Sequence, residues 1–181
     1  FDMDKVQGLI DAIKNQPRAG QATHPIKIVW NAGYFSEAFI KDFIAGGVKN
    51  TTSRSKPFTV PQDHPPEVGG GTNKAPTAGE LLVATLGHCV TVGFAQSAAL
   101  MGIPIESLYS EIEGDIDIQG MLQLPTSGAV RPGFQEFRIK YYVKSKAPRE
   151  QLEKAAKMGE DTSPVKDSLR AVKFSSQLII Q

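Results

Sequence analysis

The sequence predicts an α+β fold built around one long apolar helix, and three observations carry that reading. From Leu81 to Met101 there is no charged residue; Thr77-Ala78-Gly79-Glu80 opens this run as a capping box, and Gly102 and Pro104 stop it. Strand patterns fall in blocks before and after the helix instead of alternating with helices, which disfavours a doubly wound parallel sheet. Phe137, Ile139, Tyr141 and Val143 alternate with Arg138, Lys140, Tyr142 and Lys144, the pattern of a half-exposed antiparallel strand.

The elements follow in order. Val6, Leu9, Ile10 and Ile13 share one helical face, so Asp4 to Gln16 is expected as an amphipathic helix, ended by Pro17 and Gly20. Residues 1–20 then form an N-terminal extension, and residues 21–181 a single domain. Ile26 to Tyr34 and Ser36 to Phe43 read as two strands joined around Gly33. A loop is expected from Gly46 to Ser55, then a short strand from Pro57 to Val60. Gln62 to Ala78, rich in Pro and Gly, is the longest irregular stretch, and loops of that length are usually functional or interfacial. After the apolar helix come a strand within Ile105 to Ile118, the strand around Tyr141 and a helix from Pro148 to Met158. A short helix opened by Ser163-Pro164 and a closing strand from Val172 to Ile180 complete the chain.

Composition narrows the function classes. The 181 residues carry a net charge of +1, with 22% charged and 40% hydrophobic side chains. That balance offers no electrostatic reason for a nucleic-acid or anionic-membrane partner. The apolar run is long enough to span a bilayer, but Thr85, His88, Thr91, Gln96 and Ser97 dilute it. No basic cluster or aromatic belt flanks it, so a buried core helix is expected. A single cysteine excludes an internal disulfide, and the first residues lack the basic and apolar regions of a signal peptide, so a cytoplasmic protein is expected.

That cysteine, Cys89, is the candidate for chemistry. It reads either as a small buried hydrophobe or as a reactive thiol, and reactivity requires a helix N-terminus, a cation or a metal. Cys89 lies about three turns into its helix, beyond the reach of the helix dipole. His88 is adjacent, but consecutive helical residues point about 100° apart, so the two are no ready pair. His24, His64, His88 and Cys89 lack metal-ligand spacing, and the Gly69-Gly70-Gly71 cluster fits no phosphate loop. Neither a metal nor a cofactor is therefore expected.

Gly69-Gly70-Gly71-Thr72, followed by Ala78-Gly79-Glu80-Leu81-Leu82-Val83-Ala84-Thr85-Leu86-Gly87-His88-Cys89, resembles the first cysteine motif of the OsmC/Ohr family. These are osmotically inducible and organic-hydroperoxide-resistance proteins. Met101-Gly102-Ile103-Pro104 and Val130-Arg131-Pro132-Gly133-Phe134-Gln135-Glu136 resemble the same family, and Asp161-Thr162-Ser163-Pro164-Val165 sits where its second cysteine motif would fall. The resemblance implies an intertwined α+β homodimer, with the central helix packed on curved antiparallel sheets. It also implies a peroxidatic thiol served by an arginine and a glutamate. Here the second cysteine is replaced by Ser163, the early-hairpin arginine by Phe35, and the glutamate is matched one residue out of step by Glu80. Arg54, in the next loop, is the substitute cation.

The catalytic set implied is thus Cys89, Glu80 and Arg54. The function implied is a one-cysteine thiol peroxidase of organic hydroperoxides, regenerated by an external thiol reductant. A non-catalytic dimeric protein that binds a small apolar molecule in the same fold is the alternative. A cysteine hydrolase has little support, because no histidine is placed to act as base.

Overall fold

The computed structural model describes residues 1–124 and 130–181, and the chain divides into two compact units, Phe1–Leu81 and Leu82–Gln181. In the N-terminal unit, α1 (Met3–Asn15) starts where the Asp2 carboxylate accepts the Lys5 N–H at 3.1 Å, and a single 3₁₀ turn (Pro17–Gly20) follows it. None of its residues is buried. Strands β1 (Ala22–Thr23), β2 (Lys27–Ala32), β3 (Phe35–Ile40), β4 (Phe43–Ala45), β5 (Val48–Asn50) and β6 (Phe58–Gln62) make two three-stranded antiparallel sheets, ordered β1-β4-β5 and β2-β3-β6.

The expected hairpin around Gly33 is present. The stretch from Gly46 to Ser55, expected as loop, instead holds β5. Gly46 and Gly47 (φ +58° and +84°) make a two-residue turn that folds β5 back on β4. A turn with two positive φ values matches the twist of the flanking strands, and glycine adopts it without steric cost.

Asp63, directly after β6, organises the long irregular loop. Its carboxylate accepts the N–H groups of His64 (2.8 Å), Thr72 (3.1 Å) and Lys74 (3.1 Å) and the Thr72 hydroxyl (2.6 Å). Four donors converge on one buried group, so the loop is folded around an anion. The Thr72 hydroxyl is the largest influence, and together these donors push the Asp63 carboxyl down to about 2.

Helix α2 (Ala78–Leu100) begins with the capping box: Glu80 N–H donates to Thr77 Oγ1 at 3.1 Å, and Thr77 N–H donates to the Glu80 carboxylate at 2.7 Å. At its other end Gly102 takes φ +70°, and the Ile103 N–H donates to Ala98 O at 2.8 Å. In the C-terminal unit, β7 (Ser107–Ile116), a short α3 (Ile118–Met121), β8 (Phe134–Lys144), α4 (Arg149–Asp161), α5 (Pro164–Ser168) and β9 (Lys173–Ile180) follow. β8 is central, antiparallel to β7 and parallel to β9. The parallel pairing has a simple cause. α4 and α5 lie between β8 and β9 in the chain and form a crossover, which a parallel pair requires.

The core lies on the alternating face of β8. Phe137, Ile139, Tyr141 and Val143 are buried with Leu86, Val90, Phe94 and Ala98 of α2 and Leu152, Ala155 and Ala156 of α4. Phe94 meets Tyr141 edge to face at 5.5 Å. α2 is long and apolar enough to cross a membrane by length and composition, but it is the core helix of this unit. The expectation of burial on most of its faces is met on one stripe only. Val92 remains 54% exposed and Leu100 48%.

Helices α2 and α4 touch backbone to backbone at Gly93 and Gly159. A Cβ on Gly93 would stand 2.8 Å from Gly159 O, and one on Gly159 would run into the backbone of Gly93 and Phe94. Gly159→Ala is therefore expected to lower stability by about 1–3 kcal/mol through overpacking, measured by urea denaturation. For Asp63, a depressed folded-state pKa means that its contribution is complete above about pH 4 and lost as pH falls towards 2. Thermal melts should show wild-type protein losing stability across that window, with a shallower loss in Asp63→Asn.

Candidate functional site

Cys89 lies about three turns into α2 and is half-buried. Its sulfur accepts a hydrogen bond from the Ser163 hydroxyl at 3.1 Å. Ser163 is 3% exposed and caps α5, where its Oγ accepts the Lys166 N–H at 3.1 Å. The Ser-Pro sequence explains the cap. Proline at the first helical position suits the start of α5, and serine supplies the oxygen that the free N–H groups need.

The meeting of the two residues follows from the glycine contact. Gly93 is four residues after Cys89, and Gly159 is four residues before Ser163, about one helical turn in each case. The two helices meet at the glycine pair, and Cys89 on α2 meets Ser163, two residues past the end of α4.

A polar group surrounds this pair. The Glu160 carboxylate, 11% exposed, lies 3.5 Å from the Lys166 ammonium, which also stands 4.7 Å over the Phe174 ring. Burial, with the Glu160 charge beside it, pushes the Tyr141 phenol well above its ordinary range, so it stays protonated. Glu160 and Lys166 also line a cavity of about 280 Å³ with Leu86, Phe137, Leu169 and Phe174. Leu86 lies three residues before Cys89, while Glu160 and Lys166 lie three residues either side of Ser163. Neither Cys89 nor Ser163 itself lines the cavity, whose walls also include Asp161, Asp167 and Arg170.

The other two expected site residues lie in the N-terminal unit. Glu80 is exposed, and its carboxylate takes both the N–H and the hydroxyl of Thr77 (2.7 and 2.9 Å). Those two donors, with His64 contributing, hold its carboxyl below the usual range. Arg54 is not a solvated loop arginine. Its guanidinium donates to Lys41 O at 3.2 Å and lies 5.5 Å from the Phe43 ring centre and 5.2 Å from that of Phe58. Phe35, at the place of the family arginine, has the Lys74 ammonium 5.9 Å from its ring. No cluster of three potential metal ligands occurs among the described residues.

Sequence reasoning read Ser163 as the start of a short helix and as a missing cysteine, not as a partner of Cys89. Its hydrogen bond to Cys89 has no local signal, because the two residues are 74 positions apart. Glu160 was missed altogether; nothing in a surface-helix pattern marks one carboxylate as half-buried.

Comparison with known proteins matches residues 71–177 to the family of OsmC-like proteins, a span that includes both Cys89 and Ser163. A comparison with curated proteins finds no sequence match. Among solved structures, the OsmC-like protein of Mycoplasma pneumoniae is similar at a TM-score of 0.65 and 16% identity, over 87% of this chain and 96% of that one. An organic hydroperoxide resistance protein OsmC from Legionella pneumophila is similar at 0.57 and 12%, over 89% and 99%. One from Elizabethkingia anophelis is similar at 0.56 and 11%, over 88% and 96%. These likenesses establish the α+β fold, and with the match across both cysteine-motif positions they lead to one conclusion: the chain belongs to the OsmC-like protein family.

Proposed function

We propose that the protein is a one-cysteine thiol peroxidase acting on organic hydroperoxides. The observation that carries this reading is the Ser163 hydroxyl on the Cys89 sulfur, at the two positions where the family resemblance expects a pair of cysteines. Two of the similar structures are of proteins named for organic hydroperoxide resistance, which supports the same reading.

In this mechanism the Cys89 thiolate attacks the distal oxygen of ROOH. The O–O bond breaks, a proton reaches the departing alkoxide, and Cys89 sulfenic acid and ROH result. Ser163 cannot resolve the sulfenic acid as a disulfide, so an external thiol attacks instead, giving a mixed disulfide and water. A second thiol then releases Cys89 as the thiol and carries away the new disulfide. The family resemblance gives Arg54 the part of the cation and Glu80 that of the glutamate; both lie in the N-terminal unit, where Arg54 donates to Lys41 O and Glu80 accepts from Thr77. The protein acts as a homodimer in the cytoplasm, where a second subunit covers the exposed apolar positions Val92 and Leu100 of α2. The replacement of a resolving cysteine by Ser163 favours one competing reading, a dimeric small-molecule binding protein without turnover.

Assays with tert-butyl hydroperoxide and dithiothreitol separate the two. Turnover by the wild type, with loss to background in Cys89→Ser, is expected of the peroxidase; a wild type that consumes no peroxide and yields no trappable sulfenic acid belongs to the binding protein. Ser163→Cys, exposed to one equivalent of hydroperoxide, should form an internal disulfide, seen by mass spectrometry as the loss of two hydrogens.

A further inference from the structure

We propose that Ser163 is a positioning residue for Cys89, whose hydroxyl proton is committed to the sulfur and stabilises its thiolate. The inference deepens the peroxidase reading, and it rests on the direction of two hydrogen bonds. A serine hydroxyl has one proton and two lone pairs. Here one lone pair is taken by the Lys166 N–H at 3.1 Å, the capping bond that opens α5. The proton and the second lone pair remain, and it is the proton that is given to Cys89 Sγ, 3.1 Å away, the only one of the two that can serve a thiolate.

Three features hold that geometry. Ser163 is buried, so water does not compete for the proton. Pro164 restricts the backbone at the start of α5. The Gly93–Gly159 contact, one turn away on both sides, sets the spacing between the helices that carry the pair. A donor aimed at sulfur favours the charged form over the neutral one, and hydrogen bonds to charged groups are the stronger class. Cys89 is too deep in α2 for the helix dipole to do this, so the donor arrives from another element. At the position of the expected second cysteine, serine thus exchanges a resolving group for a fixed donor.

The test reads Cys89 directly, independently of peroxide turnover. Iodoacetamide alkylation at pH 7 is followed by mass spectrometry in wild type, Ser163→Gly, Ser163→Ala and Ser163→Thr. Glycine keeps most of the capping contribution while removing the donor, and threonine keeps both. We expect the glycine and alanine variants to alkylate about tenfold more slowly, with threonine within about threefold of wild type. The sign is decisive. If Ser163 only packed against Cys89 or capped α5, deleting its side chain would open the site and leave alkylation unchanged or faster, which would overturn the proposal. Slow alkylation in a folded threonine variant would overturn it as well. A slowed glycine variant together with a wild type inactive towards hydroperoxide would uphold the positioning role while removing the peroxidase reading.

Discussion

The backbone contact between Gly93 and Gly159 is the constraint on which the C-terminal unit depends. Two helices that touch at glycine sit closer than side chains would allow, and everything one turn away is placed by that spacing. On α2 the next turn carries Cys89. Beyond the end of α4 it carries Ser163. The same approach seats the α2 stripe of Leu86, Val90, Phe94 and Ala98 against the buried face of β8, with α4 adding Leu152, Ala155 and Ala156. Core and candidate site are therefore products of one packing decision.

The chemistry follows from the placement. A thiol deep in an apolar helix has no local source of stabilisation, and the donor it receives comes from a residue whose own position is fixed by a capping bond. Near Ser163 in sequence, Glu160 and Lys166 line a cavity of mixed character, with Asp161, Asp167 and Arg170 among its charged walls and Leu86, Phe137 and Phe174 among its apolar ones. The N-terminal unit is organised by a different device, an anion at Asp63 around which the glycine-rich loop closes.

Legibility differed by element for physical reasons. The capping box before α2 and the Ser-Pro start of α5 are local events, set by side chains within three or four residues of the backbone groups they satisfy, and both could be read directly. The alternation in β8 was as clear, because one face of the strand is buried and the other wet. The β4–β5 hairpin was passed over although Gly46-Gly47 marks it; its strands have three residues each, too few for alternation to register. The burial of α2 is met by its own chain on one stripe, and the resemblance leaves the remaining apolar face to a second subunit. An apolar composition shows that a helix needs cover, but not how much of that cover its own chain supplies.

By itself, the sequence determined the order of the longer helices and strands, the limits of α2, and the lone cysteine that rules out an internal disulfide. It also carried the motifs that relate the chain to OsmC-like proteins. Only the tertiary structure decided that Ser163 touches Cys89, that Arg54 is held between two rings, that Glu160 is half-buried and that β9 joins β8 in parallel. The division has a physical origin. Caps, turns and amphipathic periodicity depend on neighbours along the chain, whereas these contacts join residues far apart in sequence and exist only once the helices have packed and the crossover has closed.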